Sequence, residues 1–169
     1  MELIRPNEKY LFSYAEALAE DLTHRLNENT MFDDPESVIE RVKFFETSQN
    51  LPAGYVNQTT FWLVSDSLFI GHIKIRHRLI SALLKYGGHV GYQIRYSEWG
   101  KGYGTRMLSL ALDYCRAVLH LKSVLITCDD DNLASAHVIE NNGGILQDKL
   151  MNEEQGKNVL IRRYWIDLD

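Results

Sequence analysis

The sequence predicts a mixed α/β domain, and three observations indicate this class. Residues 89–105 and 121–142 each combine an apolar strand pattern, a glycine-rich or polar turn and an amphipathic helix pattern. Two helix patterns precede a pair of strand patterns in the N-terminal half. Apolar residues make up 45% and charged residues 24% of the 169 residues, a composition that can form a hydrophobic core. Without an internal repeat or a linker-like stretch, we expect one domain over residues 1–169.

The N-terminal third predicts a short strand and two helices. Residues 2–5 form the strand, and residues 7–26 form a helix because apolar positions recur at helical spacing. Residues 34–48 predict the second helix. Asp34 is its expected N-cap, and the proline and glutamate that follow it suit a first helical turn. Residues 51–54 are a loop.

The central part predicts a hairpin and the strand that leads to the glycine-rich turn. Residues 61–65 and 68–76 are the hairpin strands, joined across Asp66 and Ser67. Residues 77–88 are ambiguous, with a helical turn as one interpretation. An alternating, β-branched and aromatic run from His89 to Tyr96 predicts the central strand.

The C-terminal half predicts two helices and three strands. The long helix carries apolar residues on one side, and the strand after it is apolar enough to be buried. These elements are a helix over 103–119, a strand over 121–127, a helix over 132–142, a strand from 145, a turn at Gly156 and a last strand over 159–167.

The glycine-rich turn predicts a phosphate site. Gly100, Gly102 and Gly104 lie between the central strand and a helix start. Glycine lets main-chain N–H groups approach a ligand, and a helix N-terminus offers unpaired donors and a positive dipole end. The dinucleotide motif would need glycine where Thr105 stands. The triphosphate motif fails as well, because Gly104 is followed by Thr105 and Arg106. A helix start without a ligand remains the alternative.

Two motifs together resemble the GNAT family of N-acetyltransferases. The family's pyrophosphate loop, R/Q-x-x-G-x-G/A, corresponds to residues 99–104, with Trp99 departing from its first position. The family's second motif follows one helix and one strand later, and Asn132, Ser135 and Gly143 match it. The resemblance is firm from about residue 60 to 150 and identifies a little-characterised subgroup of predicted acetyltransferases.

This resemblance implies both a fold and an activity. The implied acyl-CoA N-acyltransferase fold has a mixed, mostly antiparallel sheet of six to seven strands flanked by about four helices, in the order β α α β β β α β α β β. The implied activity is transfer of an acetyl group from acetyl-CoA to a primary amine of a small molecule or peptide, by direct attack in a ternary complex. Acetyl rather than a longer acyl group is the family's default.

The resemblance also assigns residues to acetyl-CoA. Main-chain groups of the central strand, splayed from its neighbour by a bulge, would hold the thioester oxygen and the pantetheine arm. The loop would hold the pyrophosphate, and the start of the next helix would contact pantetheine. The assigned residues are Tyr92, Gln93, Ile94, Trp99, Gly100, Lys101, Gly102, Tyr103, Gly104, Thr105, Asn132 and Ser135. Asn132 is equally suited to cap that helix.

The catalytic groups are less well specified. A free alkyl amine has a pKa near ~10, so a base must take its proton, and the thiolate leaving group takes up a proton. In the family a tyrosine commonly protonates the thiolate, but Ile139 stands at its position. Tyr103, Tyr164 or solvent are the alternatives. For the base, Glu98 and His89 are candidates, with His72 on the neighbouring strand as a further one; structural roles for all three remain open.

Charge and composition restrict the partners. A net charge of −5 argues against nucleic-acid binding and mildly favours a cationic acceptor. No apolar run approaches the ~20 residues of a membrane span, and the start lacks a secretory pattern, so we expect a cytoplasmic protein. Cys115 and Cys128 are expected to be reduced core thiols, and no cysteine–histidine cluster indicates a metal. Monomer and homodimer both remain open.

Two further function classes remain open. The missing tyrosine allows a non-catalytic acyl-CoA-binding or sensing domain on the same fold. A different phosphate-ligand enzyme is a remoter alternative, because a fold does not fix a function. The acceptor is unspecified. Five aromatic residues could line its pocket or belong to the core, and they are Phe32, Phe44, Phe45, Tyr55 and Trp62.

Overall fold

The computed structural model describes residues 1–24, 31–154 and 157–169, and these form one seven-stranded sheet with four α-helices. The strands are β1 (Glu2–Ile4), β2 (Gln58–Ser65), β3 (Leu68–Arg76), β4 (Val90–Ile94), β5 (Ser123–Asp129), β6 (Ile145–Glu154) and β7 (Lys157–Asp167). The helices are α1 (Leu11–Thr23), α2 (Val38–Thr47), α3 (Tyr103–Ala117) and α4 (Leu133–Glu140). The predicted order of elements is confirmed. The turn expected at Gly156 lies outside the described residues.

The sheet is mostly antiparallel, as predicted. Its strand order is β1-β2-β3-β4-β5-β7-β6, and β4–β5 is the parallel pair. Parallel strands end at the same edge of a sheet. The turn from β4 to α3 and the turn from β5 to α4 therefore lie side by side at the carboxyl edge.

Each face of the sheet carries its own hydrophobic core, because strand side chains alternate between the faces. On one face α3 and α4 pack on β3, β4, β5 and β7, and Leu108, Ile126 and Ile139 are fully buried there. On the other face α1 and α2 cover β2 and β3. The ring of Tyr14 stacks on Trp62 there, with 4.8 Å between centroids.

The N-cap predicted at Asp34 is wrong by three residues, since the observed N-cap of α2 is Ser37. The carbonyl oxygen of Asp34 accepts the N–H groups of Ser37 and Val38 at 3.1 and 2.9 Å, which forms a separate turn before α2 begins at Val38. The start predicted at Asn7 is confirmed, because its side chain accepts the Lys9 N–H in a short 3₁₀ turn that leads into α1. The predicted end of that helix at residue 26 lies outside the described residues.

The ambiguous segment before β4 contains a wide helical turn over Leu83–Gly87. Side chains from β3, β5 and β7 hold it against the sheet by donating to its carbonyl oxygens. The bonds are Arg76 Nη1 to Gly87 and Gly88 (2.9 and 3.1 Å), Thr127 Oγ1 to Tyr86 (2.8 Å) and Arg163 Nη1 to Leu84 (3.0 Å). The interpretation of this segment as a helical turn is thus confirmed.

Candidate functional site

A wedge between β4 and β5 is the central feature of the site. The two strands form one ladder pair, Val90 with Ile126, whereas β4 pairs with β3 through five residues. The strands therefore diverge toward their carboxyl ends. The expected bulge in β4 is not present in these described pairings, where the register shifts lie in the β2–β3 and β6–β7 pairs instead. The wedge arises because β4 ends its pairing with β5 early.

The free edge of β4 faces this wedge. The N–H of Arg95 bonds to Ile70 on β3, and main-chain groups alternate between the two edges of a strand. The main-chain groups of Tyr92 and Ile94 therefore point toward β5, as the resemblance implied. Those of Gln93 point toward β3, which does not support its assignment to the cofactor.

The start of α3 forms the mouth of the wedge. Gly100 and Gly102 have φ angles of 74° and 78°, and no heavy atom lies within 4 Å of where a Cβ would stand at either residue. No side chain of the described residues caps α3, so the N–H groups of its first turn are available to a ligand. Lys101 is half exposed beside them and pairs with Glu98 at 3.0 Å. This loop has the geometry that a phosphate requires.

Trp99 stands where the motif usually has arginine or glutamine. Its indole N–H donates to the carbonyl oxygen of Ile94 at 2.8 Å, and its ring lies 5.0 Å from that of Tyr96. Tyr96 in turn stacks on His24 at 4.1 Å. Trp99 thus fixes the loop to the end of β4. Its hydrogen bond also occupies the Ile94 carbonyl oxygen, one of the carbonyl groups that face the wedge.

The start of α4 lies on the other side of the mouth. Asn132 is exposed and caps α4 by accepting the Ser135 N–H at 3.0 Å. Gly104 brings the two helices together, since a Cβ there would stand 3.1 Å from Val138. Asn142 adds a bond from its amide to the Thr105 carbonyl oxygen at 3.2 Å. The start of α3 is therefore packed against the C-terminal half of α4 and the residues that follow it.

Comparison with known proteins decides the family. The model of the acetyltransferase (GNAT) domain matches residues 7–145, most of the chain. The chain belongs to this family. Among curated proteins no significant match is found.

Solved structures of GNAT acetyltransferases share the fold. A putative acetyltransferase from Salmonella typhimurium with acetyl-CoA has a TM-score of 0.67 at 13% identity, covering 99% of this chain and 94% of its own. A spermidine N-acetyltransferase from Vibrio cholerae has a TM-score of 0.67 at 14% identity, covering 99% and 95%. The Salmonella typhimurium acetyltransferase that modifies the N-terminal serine of ribosomal protein L7/L12 has a TM-score of 0.70 at 18% identity, and the match covers 99% of this chain and 94% of that one.

The GNAT proton-donor position cannot supply a proton in this chain. Ile139 is fully buried in the core between α4 and the sheet. Tyr103 packs against the same core. Tyr164 is buried and donates to Glu140 at 2.9 Å. Ile139 has no hydroxyl group and that of Tyr164 is engaged with Glu140, whereas a role for Tyr103 as proton donor stays a prediction.

A different hydroxyl pair lies beside the wedge. Tyr92 extends from β4 to α4, where its phenolic oxygen lies 2.9 Å from Oγ of Ser135. The Cys128 thiol, at the end of β5, also interacts with the Ser135 hydroxyl. Burial raises the pKa of Tyr92 to about 12 and that of Cys128 to about 11, so both keep their protons near neutral pH. Ser135 therefore joins β4, β5 and α4 at one point.

His89 lacks the free basic nitrogen that a general base needs. Its Nδ1 accepts the Leu125 N–H at 3.0 Å, which leaves the proton on Nε2. Burial, with the nearby Arg76 charge, lowers the pKa of His89 to about 4. This geometry favours a structural role, in which His89 fastens β4 to β5 where the wedge begins.

Of the two other candidates for the general base, Glu98 forms an ion pair and His72 is buried. The carboxylate of Glu98 binds the ammonium of Lys101 and so positions that cation at the loop. His72 is 2% exposed and packs on Phe32, and burial lowers its pKa well below the usual value. Its Nε2 has no hydrogen-bond partner among the described residues.

The sequence did not indicate the carboxylate that lies closest to Gln93. The Gln93 side chain donates to Asp21 of α1 at 2.6 Å and accepts the Met31 N–H at 3.0 Å. Asp21 thus lies on the α1 side of β4, at the level of the residues that face the wedge. No sequence pattern joins two positions 72 residues apart, so only the fold reveals this pair.

A buried guanidinium fixes the whole loop to α1. Arg95 follows β4 directly, and its guanidinium binds Glu20 at 2.6 Å and Glu16 at 3.4 Å. It also donates to the Ser13 hydroxyl at 3.0 Å. The second oxygen of Glu20 accepts the Ser97 N–H at 3.2 Å. The entry to the glycine loop is therefore held by one network, which we call the Arg95 cluster.

The face of the sheet under α2 carries a cavity of about 270 Å³. Phe32, Phe45 and Tyr55 line it, whereas Trp62 belongs to the core and Phe44 lies exposed on α2. Cationic side chains from β3 and α2 complete the wall. The aromatic residues are thus divided between pocket, core and surface.

Two expected absences can be examined on the described ranges alone. Within residues 1–24, 31–154 and 157–169, no three histidine, cysteine or acidic side chains are grouped as metal ligands would be. In the same ranges no helix has the length and apolar character needed to cross a membrane. Cys115 and Cys128 are free and buried, as predicted.

Proposed function

We propose that this GNAT acetyltransferase moves the acetyl group of acetyl-CoA to a primary amine by direct attack in a ternary complex. The observation that carries the proposal is the wedge between β4 and β5, which opens onto the uncapped start of α3 with its two positive-φ glycines. This shape suits pyrophosphate at the loop and a thioester beside the free edge of β4. The two neighbours with named acceptors act on spermidine and on an N-terminal serine, both of which are amines.

The chain supplies a group for each requirement of the reaction. The amine nitrogen attacks the thioester carbon, and Asp21 accepts its proton directly or through water. Main-chain N–H groups of the β4 edge donate to the oxyanion that forms. The carbon–sulfur bond then breaks, and the Ser135 hydroxyl gives its proton to the leaving thiolate. Tyr92, 2.9 Å from Ser135, restores that proton, and solvent then returns a proton to Tyr92 and takes up the one held by Asp21, so the enzyme regains its starting state.

Binding of acetyl-CoA is the first test, and the chain offers a matched control. Gly102 and Gly54 have φ angles of 78° and 87°, and neither has a heavy atom within 4 Å of its Cβ position. Gly102→Asp and Gly54→Asp therefore introduce the same backbone strain and the same charge, but only the first places them at the phosphate loop. At 100 times the dissociation constant, acetyl-CoA contributes about 2.7 kcal/mol of stability.

Thermal unfolding with acetyl-CoA, CoA, ATP and NAD measures this binding. We expect acetyl-CoA and CoA to raise the melting temperature of wild type and Gly54→Asp by about 5–10 °C. Gly102→Asp should lose that shift. A larger shift with ATP or NAD would show that the loop holds another ligand, and equal acetyl-CoA shifts in both variants would show that acetyl-CoA does not bind at the loop.

Turnover separates an enzyme from a sensing domain. Thiol release should follow addition of amines to the acetyl-CoA complex, with one acetylated amine formed for each thiol. Binding of acetyl-CoA without transfer to any of a broad set of amines would favour the non-catalytic alternative, which the Ile139 position keeps open. A cytoplasmic location, and the choice between monomer and homodimer, stay predictions.

A further inference from the structure

Arg76 has an unusual set of contacts for a partly buried arginine. Its Nη1 donates to the carbonyl oxygens of Gly87 and Gly88 at 2.9 and 3.1 Å. Its Nε and Nη2 donate to no residue that the structure describes, and no described carboxylate pairs with it. Burial lowers the pKa of Arg76. The other guanidiniums with mostly enclosed side chains are paired, as Arg95 with Glu20 and Arg163 with Asp148 show.

Arg76 is one of the residues that line the cavity under α2. The same wall contains Lys74, Arg41 and Asp33. The Asp33 carboxylate is already bound by both cations, at 3.1 Å from each. The cavity therefore keeps an excess of positive charge in a chain whose net charge is −5. Such a site attracts an anion, and a Nε–Nη2 edge matches the two oxygens of a carboxylate.

The cavity lies on the face of the sheet that carries the Gln93 side chain and its partner Asp21, the base of the proposed reaction. The N–H of Arg76 bonds to the His89 carbonyl oxygen at 2.7 Å, so Arg76 lies three residues from the level of Tyr92. At ~3.3 Å per residue this separation is about 10 Å. Three residues of extended peptide span about the same distance.

We propose that Arg76 binds a carboxylate of the acceptor, so that the substrate is an elongated amino carboxylate of about tripeptide length. The amine would lie at the β4 edge and the carboxylate in the cavity under α2. This inference rests on the proposed acetyl transfer, because that reaction places the amine.

Binding of product analogues tests the inference without relying on turnover. The probes are N-acetyltriglycine and its C-terminal amide, which differ only in the charged group. Both are titrated calorimetrically into the protein with saturating CoA. Because hydrogen bonds between charged groups are strong, wild type should bind the carboxylate about 10- to 100-fold more tightly than the amide.

The matched variants are Arg76→Gln and Arg78→Gln. Arg78 is exposed two residues further along the chain, so its substitution removes the same charge. Arg76→Gln should bind both probes equally weakly, and Arg78→Gln should keep the wild-type preference. Arg76→Lys, which keeps the charge but loses the planar edge, should recover only part of it. Thr127 and Arg163 still hold the turn in these variants, and melting curves check the fold.

The outcomes distinguish this inference from the proposed function. Equal binding of the two probes by wild type, binding of neither, or a preference that survives in Arg76→Gln would overturn the role of Arg76. Acetyl transfer to simple amines in that case would leave the proposed function standing. If CoA itself does not bind, both proposals fail together.

Discussion

The phenolic oxygen of Tyr92 lies 2.9 Å from Oγ of Ser135, across the gap between β4 and α4. This contact places two hydroxyl groups beside the wedge, while the usual tyrosine position on α4 is filled by the buried Ile139. The Cys128 thiol interacts with the same Ser135 hydroxyl. The proton donor that we propose for the thiolate, Ser135, thus lies one helical turn before the usual tyrosine position.

Ser135→Ala tests this donor. We expect kcat to fall about 10- to 100-fold, at the low end of general acid catalysis, because a thiol with a pKa near ~8.5 is already a good leaving group. The dissociation constant for acetyl-CoA should change by less than about fivefold, since one neutral hydrogen bond contributes only ~1 kcal/mol. Steady-state kinetics and calorimetry measure the two quantities.

Ser135→Ala has two control variants, one at its hydrogen-bond partner Tyr92 and one at Ser109 of α3. Tyr92→Phe should lower kcat less, because solvent can replace it as the source of the second proton. Ser109→Ala, on α3, should leave the rate unchanged. A wild-type rate in Ser135→Ala would mean that solvent protonates the thiolate. Ser135 would then serve only in the cap of α4, where its main-chain N–H donates to Asn132.

His72→Phe should stabilise the protein. The Nε2 atom of His72 is buried with no described partner, and a buried unsatisfied polar group costs about 1–3 kcal/mol. Phenylalanine would keep the contact with the Phe32 ring, which lies 5.1 Å away. Urea unfolding at pH 7.5 measures the gain. Loss of acetyl transfer in a folded His72→Phe protein would instead make His72 a functional base.

The same variant should change how stability depends on pH. Burial, and secondarily the charge of Lys74, places the folded-state pKa of His72 below the unfolded value of ~6.5. Below pH 6.5 the unfolded chain therefore binds a proton at His72 that the folded chain does not bind. The contribution of His72 to the free energy of unfolding is complete above that pH and is lost as the pH falls below it. The slope reaches about 1.4 kcal/mol per pH unit for one such group. His72→Phe should remove this contribution to the pH dependence of stability. His137→Gln, on the exposed side of α4, should leave it unchanged.

The sequence predicts those parts of the fold that depend on local patterns. The hairpin across Asp66, the two strand–turn–helix units and the glycine loop follow from side-chain period and from glycine positions, which act over a few residues. The start of α2 was mispredicted because Asp34, Pro35 and Glu36 suit a tight turn as well as a helix start. Local preference alone cannot distinguish these two uses.

The candidate site is predicted only where main-chain groups form it. The loop and the free edge of β4 require little from side chains beyond glycine. The side-chain networks connect residues that are far apart in the chain, as Asp21 and Gln93 or Tyr92 and Ser135 are. His89 illustrates the limit, because its strand position suggested a base while its Nδ1 is taken by a main-chain N–H of β5.

The Arg95 cluster should be a major source of stability. Arg95→Ala leaves the carboxylates of Glu16 and Glu20 without their cation, and breaking a buried ion pair costs about 3–5 kcal/mol. We expect about 3 kcal/mol, since both carboxylates reach solvent. Arg116→Ala is the matched control, because its pair with Asp113 is exposed on α3 and should contribute less than about 1 kcal/mol. Equal costs in urea unfolding would mean that the cluster adds nothing beyond a surface pair.

Glu20→Gln should expose the pH dependence of the same cluster. Burial raises the pKa of Glu20, but the hydrogen bonds from Arg95 and Ser97 and the charge of Arg95 together outweigh it, so the folded-state pKa lies below the unfolded value of ~4.3. The associated stability is complete above that value and is lost as the pH falls through the folded-state pKa. Wild type should therefore lose stability more steeply below about pH 4.5 than Glu20→Gln. Because Glu20 also holds the Ser97 N–H before the glycine loop, the variant should in addition bind acetyl-CoA more weakly at pH 7.5. Unchanged acetyl-CoA binding with reduced stability would confine the cluster to folding and remove it from the site.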